Sequence, residues 1–253
     1  MNNRLVCGRL ISIFLLSMLT ILSCQPFDGQ RRQYPSTIGT FQKTGDYTIN
    51  PEMILASLDR GETNIFMPML VTPNANTLHP PGSVRWTQSD YLKVANALSQ
   101  YIWKETLEGW STYYIAFDRA CQNDLSGFDS VDLIYYKTIR VNWQKVYTAR
   151  YIQIYPLANY VAWGGETNFP ISEGWNAIDL TKYNITADEA LQIAEENGGK
   201  EARSKDGNDC SISISIPDQN NDVRWDIGYY YGVGFEVIVD PYSGKHEIST
   251  PSP

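Results

Sequence analysis

The sequence predicts an α+β fold made of two repeats, each a helix packed on an antiparallel sheet. Three observations predict it. Thr87-Gln88-Ser89-Asp90 and Thr186-Ala187-Asp188-Glu189 open two amphipathic helices with the same cap-and-acid spacing. Each helix leads to a strand-like run that carries a cysteine, Cys121 or Cys210, and then to aromatic and β-branched segments. Each half closes in a hairpin whose turn contains a proline, Pro156 or Pro241.

At the N-terminus, Arg4 and Arg9 precede an apolar run, Leu10 to Leu22, of 13 residues. A membrane helix needs about 20, so a basic start and a short apolar middle read as a secretory signal. The run ends in Ile21-Leu22-Ser23-Cys24, which resembles the bacterial lipobox. That resemblance implies a lipoprotein signal peptide at residues 1–23, lipidation of Cys24, and a chain anchored in the cell membrane and facing outside the cytoplasm. An uncleaved anchor, or a plain signal with a chance cysteine, is the alternative. Residues 24–50 are polar, hold Gly29, Gly39, Gly45 and Pro35, and show no period, as a flexible tether does. Arg31-Arg32 reads as part of this solvated linker.

With 20 Lys+Arg against 28 Asp+Glu the chain is acidic, and loss of residues 1–23 removes two Arg, leaving about −10. Nucleic acid is excluded as a partner on charge, and the net charge also opposes anionic membranes.

Residues 51–178 form the expected N-terminal domain. Its helix starts at Thr87 and runs to about Lys104, with Tyr91, Ala95, Leu98 and Ile102 on one stripe. Strands follow through Tyr113-Ile115-Phe117 towards Cys121 and over Asp129 to Val141, and then a hairpin spans Tyr151 to Trp163. Asn159 suits the left-handed position that closes its turn. Residues 179–253 form the C-terminal domain. Its helix has Ala187, Ala190, Leu191 and Ala194 on its apolar face and is predicted to stop at Gly198-Gly199. Offsets repeat between the helices: Leu92 with Leu191, Val94 with Ile193, Ala95 with Ala194. Cys210 to Ile216 alternates as a strand, and Arg224 to Tyr231 places Trp225, Ile227 and Tyr229 on one face, where Trp225 packs rather than serving as a platform. The closing hairpin, Phe235 to Glu247, turns through Asp240, Pro241 and Gly244, with Gly244 at a positive φ.

Cys7 and Cys24 belong to the signal, so Cys121 and Cys210 are the thiols of the exported part. In an oxidising compartment one such pair predicts one disulfide, and closing a loop of that length contributes on the order of 4 kcal/mol. Two separate buried thiols are the alternative.

Ile185-Thr186-Ala187-Asp188-Glu189-Ala190-Leu191-Gln192-Ile193-Ala194, Trp225-Asp226-Ile227 and Phe235 to Lys245, with Asp240-Pro241-Tyr242-Ser243-Gly244 as the most specific part, resemble the PepSY domain family over about residues 180–250. The acidic stretch Asp218 to Asp222 and the Tyr229-Tyr230-Tyr231-Gly232 run depart from that pattern. The resemblance implies extracytoplasmic interaction or inhibition rather than catalysis, and the internal parallel extends a PepSY-like expectation to the first half.

No Gly-x-Ser-x-Gly elbow, His-Glu-x-x-His pair or phosphate-binding Gly-Lys-Thr/Ser loop occurs in the sequence. Asp218-Gln219-Asn220-Asn221-Asp222 begins like a calcium loop but has Val223 at position six and Tyr229 at position twelve, so it reads as a polar turn. Glu195-Glu196 reads as the solvated face of a helix, His79 as part of a proline-rich linker and His246 as exposed in the terminal hairpin. No cofactor, metal or catalytic residue is predicted. The expected function is non-catalytic recognition of an extracytoplasmic protein or peptide, with the membrane reached through the lipid on Cys24. A cell-wall or carbohydrate-binding module using exposed Trp and Tyr is the alternative.

Overall fold

Alternating apolar and polar residues generate ten strands and four short or medium helices, seen in a computed structural model that describes residues 41–62, 65–68, 84–121, 126–141, 143–167, 169, 171, 177–205, 210–216, 223–230 and 234–249. All lie in one unit, Gly39–Pro253. The elements in chain order are β1 (Phe41–Thr48), α1 (Ile54–Asp59), β2 (Met67–Pro68), α2 (Gln88–Trp103), β3 (Ser111–Ala120), β4 (Ser130–Val141), β5 (Gln144–Tyr155), β6 (Tyr160–Thr167), α3 (Ala187–Ala194), α4 (Lys200–Lys205), β7 (Ser211–Ile216), β8 (Trp225–Tyr230), β9 (Phe235–Val239) and β10 (His246–Ser249).

The strands hydrogen-bond into a single antiparallel sheet in the order β10-β9-β8-β7-β3-β4-β5-β6-β1-β2. This overturns the expectation of two PepSY-like repeats, each a helix on its own sheet. Two separate sheets would each expose an edge, β3 on one and β7 on the other. Instead β3 and β7 pair along six positions, from Ile115–Ile216 to Ala120–Ser211, so neither edge is left to solvent. One buried core under the sheet takes residues from both halves of the chain, including Tyr91, Leu98, Phe117, Leu133, Ile152, Leu191, Ile214, Trp225 and Val237. Side chains as large as Trp225, Tyr91 and Phe117 are fully buried, each contributing about 1.5–3 kcal/mol of hydrophobic stabilisation.

Both helix starts behave as their sequences predict. Thr87 and Thr186 each accept a hydrogen bond from the third residue of their helix, and Asp90 and Glu189 reach back to the cap nitrogen, completing two capping boxes. The two N-termini also interlock: the Gln88 N–H donates to Asp188 Oδ2 at 2.9 Å and the Ala187 N–H donates to Gln88 Oε1 at 2.7 Å. The predicted stripes, Tyr91-Ala95-Leu98-Ile102 and Ala187-Ala190-Leu191-Ala194, are all buried. Lys104 ends α2 in the left-handed region, φ 59°.

One further expectation is corrected. Residues 41–48, assigned to the tether, form β1 and pair with β6 and β2. The glycine that makes this segment resemble a linker has a packing reason, because a Cβ on Gly45 would lie 2.7 Å from the Trp163 ring. The second helix breaks at its glycine pair, as its sequence predicts, and a short further helix follows. Asn197 and Gly198 (φ 111°) leave helical geometry, and α4 begins at Lys200.

Candidate functional site

The disulfide forms at the junction of the two halves of the sheet. Cys121 directly follows β3 and Cys210 directly precedes β7; their Cα atoms are 5.0 Å apart and the Cys121 N–H donates to the Cys210 carbonyl at 2.8 Å. The bond therefore clamps the β3–β7 pair where the antiparallel strands meet.

The terminal hairpin builds the sheet's outer edge. Asp240 Oδ1 accepts from the backbone N–H of Tyr242 at 3.0 Å and of Ser243 at 2.7 Å, which holds its carboxyl below the usual aspartate range, with the Ser243 backbone contact the largest cause. The Asn184 and Ile185 N–H groups donate to the Pro241 carbonyl at 2.9 and 3.0 Å, tying the turn to the start of α3. Gly244 takes φ +72°, as its role in closing the turn requires. The turn hands the chain to β10, the last strand of the sheet, which among the described residues pairs only with β9. His246, Glu247 and Ile248 are exposed there, Ile248 at 51%. Ile248 stands opposite fully buried Val237, so the apolar row of the core continues to the edge and emerges. The other edge ends differently: β2 is two residues long and ends in Pro68, which cannot donate to a further strand.

The face of the sheet away from the helices is polar near its centre. Asp132 on β4 accepts from Gln153 Nε2 at 3.0 Å and from the Tyr155 hydroxyl at 3.4 Å. Burial, then the charge of Asp118 on β3, push the Asp132 carboxyl up to about 6. Because the folded-state value lies above the ordinary 3.8, folding favours the protonated acid. That stabilisation is complete below about pH 4 and is lost as the pH rises through about 6. Asp132 keeps some surface, where solvent screens the charge, so the loss amounts to about 1–2 kcal/mol. Asp132→Asn should therefore raise the melting temperature at about pH 7 by about 3–6 °C and flatten its slope between about pH 4 and 7. Thermal melts across that range check this; an unchanged slope would show that Asp132 does not titrate there.

Glu195, read from the sequence as solvated, is instead part of a buried network. Glu195 keeps helical φ/ψ and follows buried Leu191 by one turn, so it stands at the flank of the apolar stripe, where its side chain is 10% exposed. Arg203 Nε on α4, 6% exposed, donates to Glu195 Oε2 at 2.9 Å, and the Tyr229 hydroxyl donates to Glu195 Oε1 at 2.8 Å. Burial and then the Glu195 charge raise the Tyr229 hydroxyl far above its ordinary value, so it stays a donor. The Tyr229 ring lies against Gly199, leaving no room for a Cβ there, while Gly198 takes the positive φ that ends the helix.

Of the residues singled out from the sequence, Cys121 with Cys210 and Asp240 with Pro241 and Gly244 are thus placed in two separate structural joints. Trp225 is fully buried, with its Nε1 donating to the Ile185 carbonyl at 2.9 Å, which makes it core rather than platform. His246 is exposed. Cys24, His79 and Asp218 to Asp222 lie outside the described residues. No group of three or more His, Cys, Asp or Glu side chains able to hold a metal ion occurs among the described residues. Sequence reasoning missed the Glu195–Arg203–Tyr229 network and the exposed Ile248; an isoleucine in the last strand after a turn was the one readable signal for the latter. No family model matches the chain, and no curated protein and no solved structure is detectably similar to it.

Proposed function

We propose that the chain is a lipid-anchored, extracytoplasmic binding module that takes an extended segment of a protein or peptide partner along β10, without catalysis. The observation that carries this reading is the contrast between the two edges of the sheet. Among the described residues one edge is met at Tyr47 and Thr48 by a two-residue strand that ends in Pro68, whereas β10 ends the other with an exposed isoleucine in register with the core. A partner strand added there would gain backbone hydrogen bonds and cover Ile248, with side chains on alternate positions supplying selectivity. The acidic chain and Glu247 favour a partner segment of neutral or positive charge. The lipobox-like ending at Ser23-Cys24 supports the anchor, and PepSY-like resemblance in the second half supports an interaction role.

Two measurements test this reading. Mass spectrometry of the N-terminus of membrane-extracted protein should find an acylated Cys24 as the first residue; a peptide beginning upstream, or one without acyl mass, removes the anchor. Capture from native membranes should retain a protein on the wild type and lose it on Ile248→Lys, a change that places a strand-blocking charge on the edge without touching the core. Retention that is equal on both removes the edge mechanism, and retention of a glycan in place of a protein supports the carbohydrate reading.

A further inference from the structure

The β4–β5 hairpin outruns the sheet. β3 accompanies β4 only as far as the Ser111–Tyr136 pair, and β6 accompanies β5 only as far as Thr148–Thr167. Beyond them the pairs Thr138–Tyr147, Ile139–Val146, Arg140–Lys145 and Val141–Gln144 form a two-stranded arm with no third strand beside it among the described residues. Four residues at about 3.3 Å each carry its tip about 13 Å from the sheet.

Both faces brace the root of this arm. On the helix side, Lys137 Nζ donates to Glu105 Oε1 at 2.8 Å, and the Arg150 guanidinium donates to Glu105 Oε2 at 2.6 Å while lying 3.9 Å from the Trp110 ring centre and 4.7 Å from that of Trp103. On the other side Tyr136 and Tyr147 pack at 6.0 Å, and the Phe169 N–H donates to the Tyr147 carbonyl at 3.0 Å.

Its tip has features that the fold does not require. Trp143 is 94% exposed and holds φ 66°, a conformation that bulky residues avoid. Arg140 and Lys145, both exposed, stand directly opposite each other, where like charges repel. From Lys137 to Thr148 there are three cations and no acid, in a chain of net charge −8. We infer that this arm is a membrane-surface contact, with Trp143 seated at the headgroup level and Arg140 and Lys145 binding anionic lipid headgroups. An indole favours the interface between water and hydrocarbon, and two cations on one face of a hairpin meet a surface of phosphates together. The acidic body does not cancel them: at physiological ionic strength charge is screened over about 8 Å, less than the length of the arm. The proposed tether enters only as the reason a membrane is near, and unacylated protein tests the arm, so either idea can fail while the other stands.

The test uses the chain from residue 24 onward with Cys24→Ser, which keeps the whole unit Gly39–Pro253. Its binding to vesicles of mixed phosphatidylglycerol and phosphatidylcholine is compared with binding to phosphatidylcholine alone. The mixed vesicles should bind more tightly at low salt, and Arg140→Gln and Lys145→Gln should each weaken that binding about fivefold. Trp143→Ser should weaken binding to both compositions and remove the blue shift of tryptophan fluorescence. Arg140→Gln and Trp143→Ser should melt at or above the wild-type temperature, and Lys145→Gln close to it, since relief of the Arg140–Lys145 repulsion is offset by loss of the Lys145 contact with the Tyr147 ring, 5.3 Å from its centre. Equal binding to the two vesicle types, or variants that bind like the wild type, overturns the inference. Binding to a soluble anionic polysaccharide but not to mixed vesicles does so as well, and reassigns the arm to polyanions.

Discussion

Replacing both Cys121 and Cys210 by Ser should lower the melting temperature by about 8–16 °C. The bond closes a loop with a sequence separation of 89, and in the chain-entropy model freeing such a loop in the unfolded state costs on the order of 4 kcal/mol, spread over a domain in which 1 kcal/mol is about 2–4 °C. Cys121 is 3% exposed, so the serine hydroxyl placed there adds a desolvation cost to the entropic one. Strong reductant should lower the wild-type melt by a similar amount and leave the double variant unmoved. A double variant that melts with the wild type, or a wild type indifferent to reductant, would show that the junction of β3 and β7 stands without its clamp.

Glu195→Ala should cost about 3–5 kcal/mol, because it removes the carboxylate facing the Arg203 guanidinium, whose side chain is 6% exposed. It also removes the acceptor for the Tyr229 hydroxyl. The loss exceeds the worth of the ion pair itself, since most of it is the penalty for a buried charge without its counter-ion. Glu195→Gln keeps an acceptor for Tyr229 and should lose less. Glu195→Leu combined with Arg203→Met removes both charges and should recover most of the stability. Urea midpoints at constant slope measure all three. If the double substitution is no better than Glu195→Ala alone, coupling between the two residues is not what the network contributes.

What could be read from the sequence was local. The caps at Thr87 and Thr186, the apolar stripes of both helices, the turns at Asn159 and Gly244 and the alternation of β7 each depend on neighbours within a few residues, and each appears where its sequence predicts. What could not be read was pairing at a distance. Nothing in Ser111–Ala120 or Ser211–Ile216 says that these two strands are neighbours, because a strand's alternation marks its buried face and not its partner. Gly45 misled for a related reason: a glycine under an aromatic ring from β6 looks, in one dimension, like a glycine in a linker. Glu195 misled because two adjacent acids look solvated, although Glu195 falls one turn after Leu191 at the edge of the apolar stripe; the side chains that hold it, Arg203 and Tyr229, come from beyond the helix. The cysteine pair was the exception among distant contacts, since composition alone left those two thiols only each other.

The central position of β3 has a consequence for how the molecule is made. A chain emerging N-terminus first has β1 to β6 in hand well before Ser211–Ile216 exists, and until then β3 is the end of a six-stranded ladder instead of lying inside the sheet. Its neighbour-seeking backbone is then open to the β3 strands of other nascent chains, during the interval from Thr167 to Ser211 in which about 45 more residues are synthesised. Such long-range closure is slow in folding generally, so the step that completes the sheet is also the one most exposed to competition from aggregation. Molecules caught in that interval can be rescued by whatever supplies the missing strand, and a synthetic peptide of Ser211–Ile216 offered during refolding is the simplest such donor.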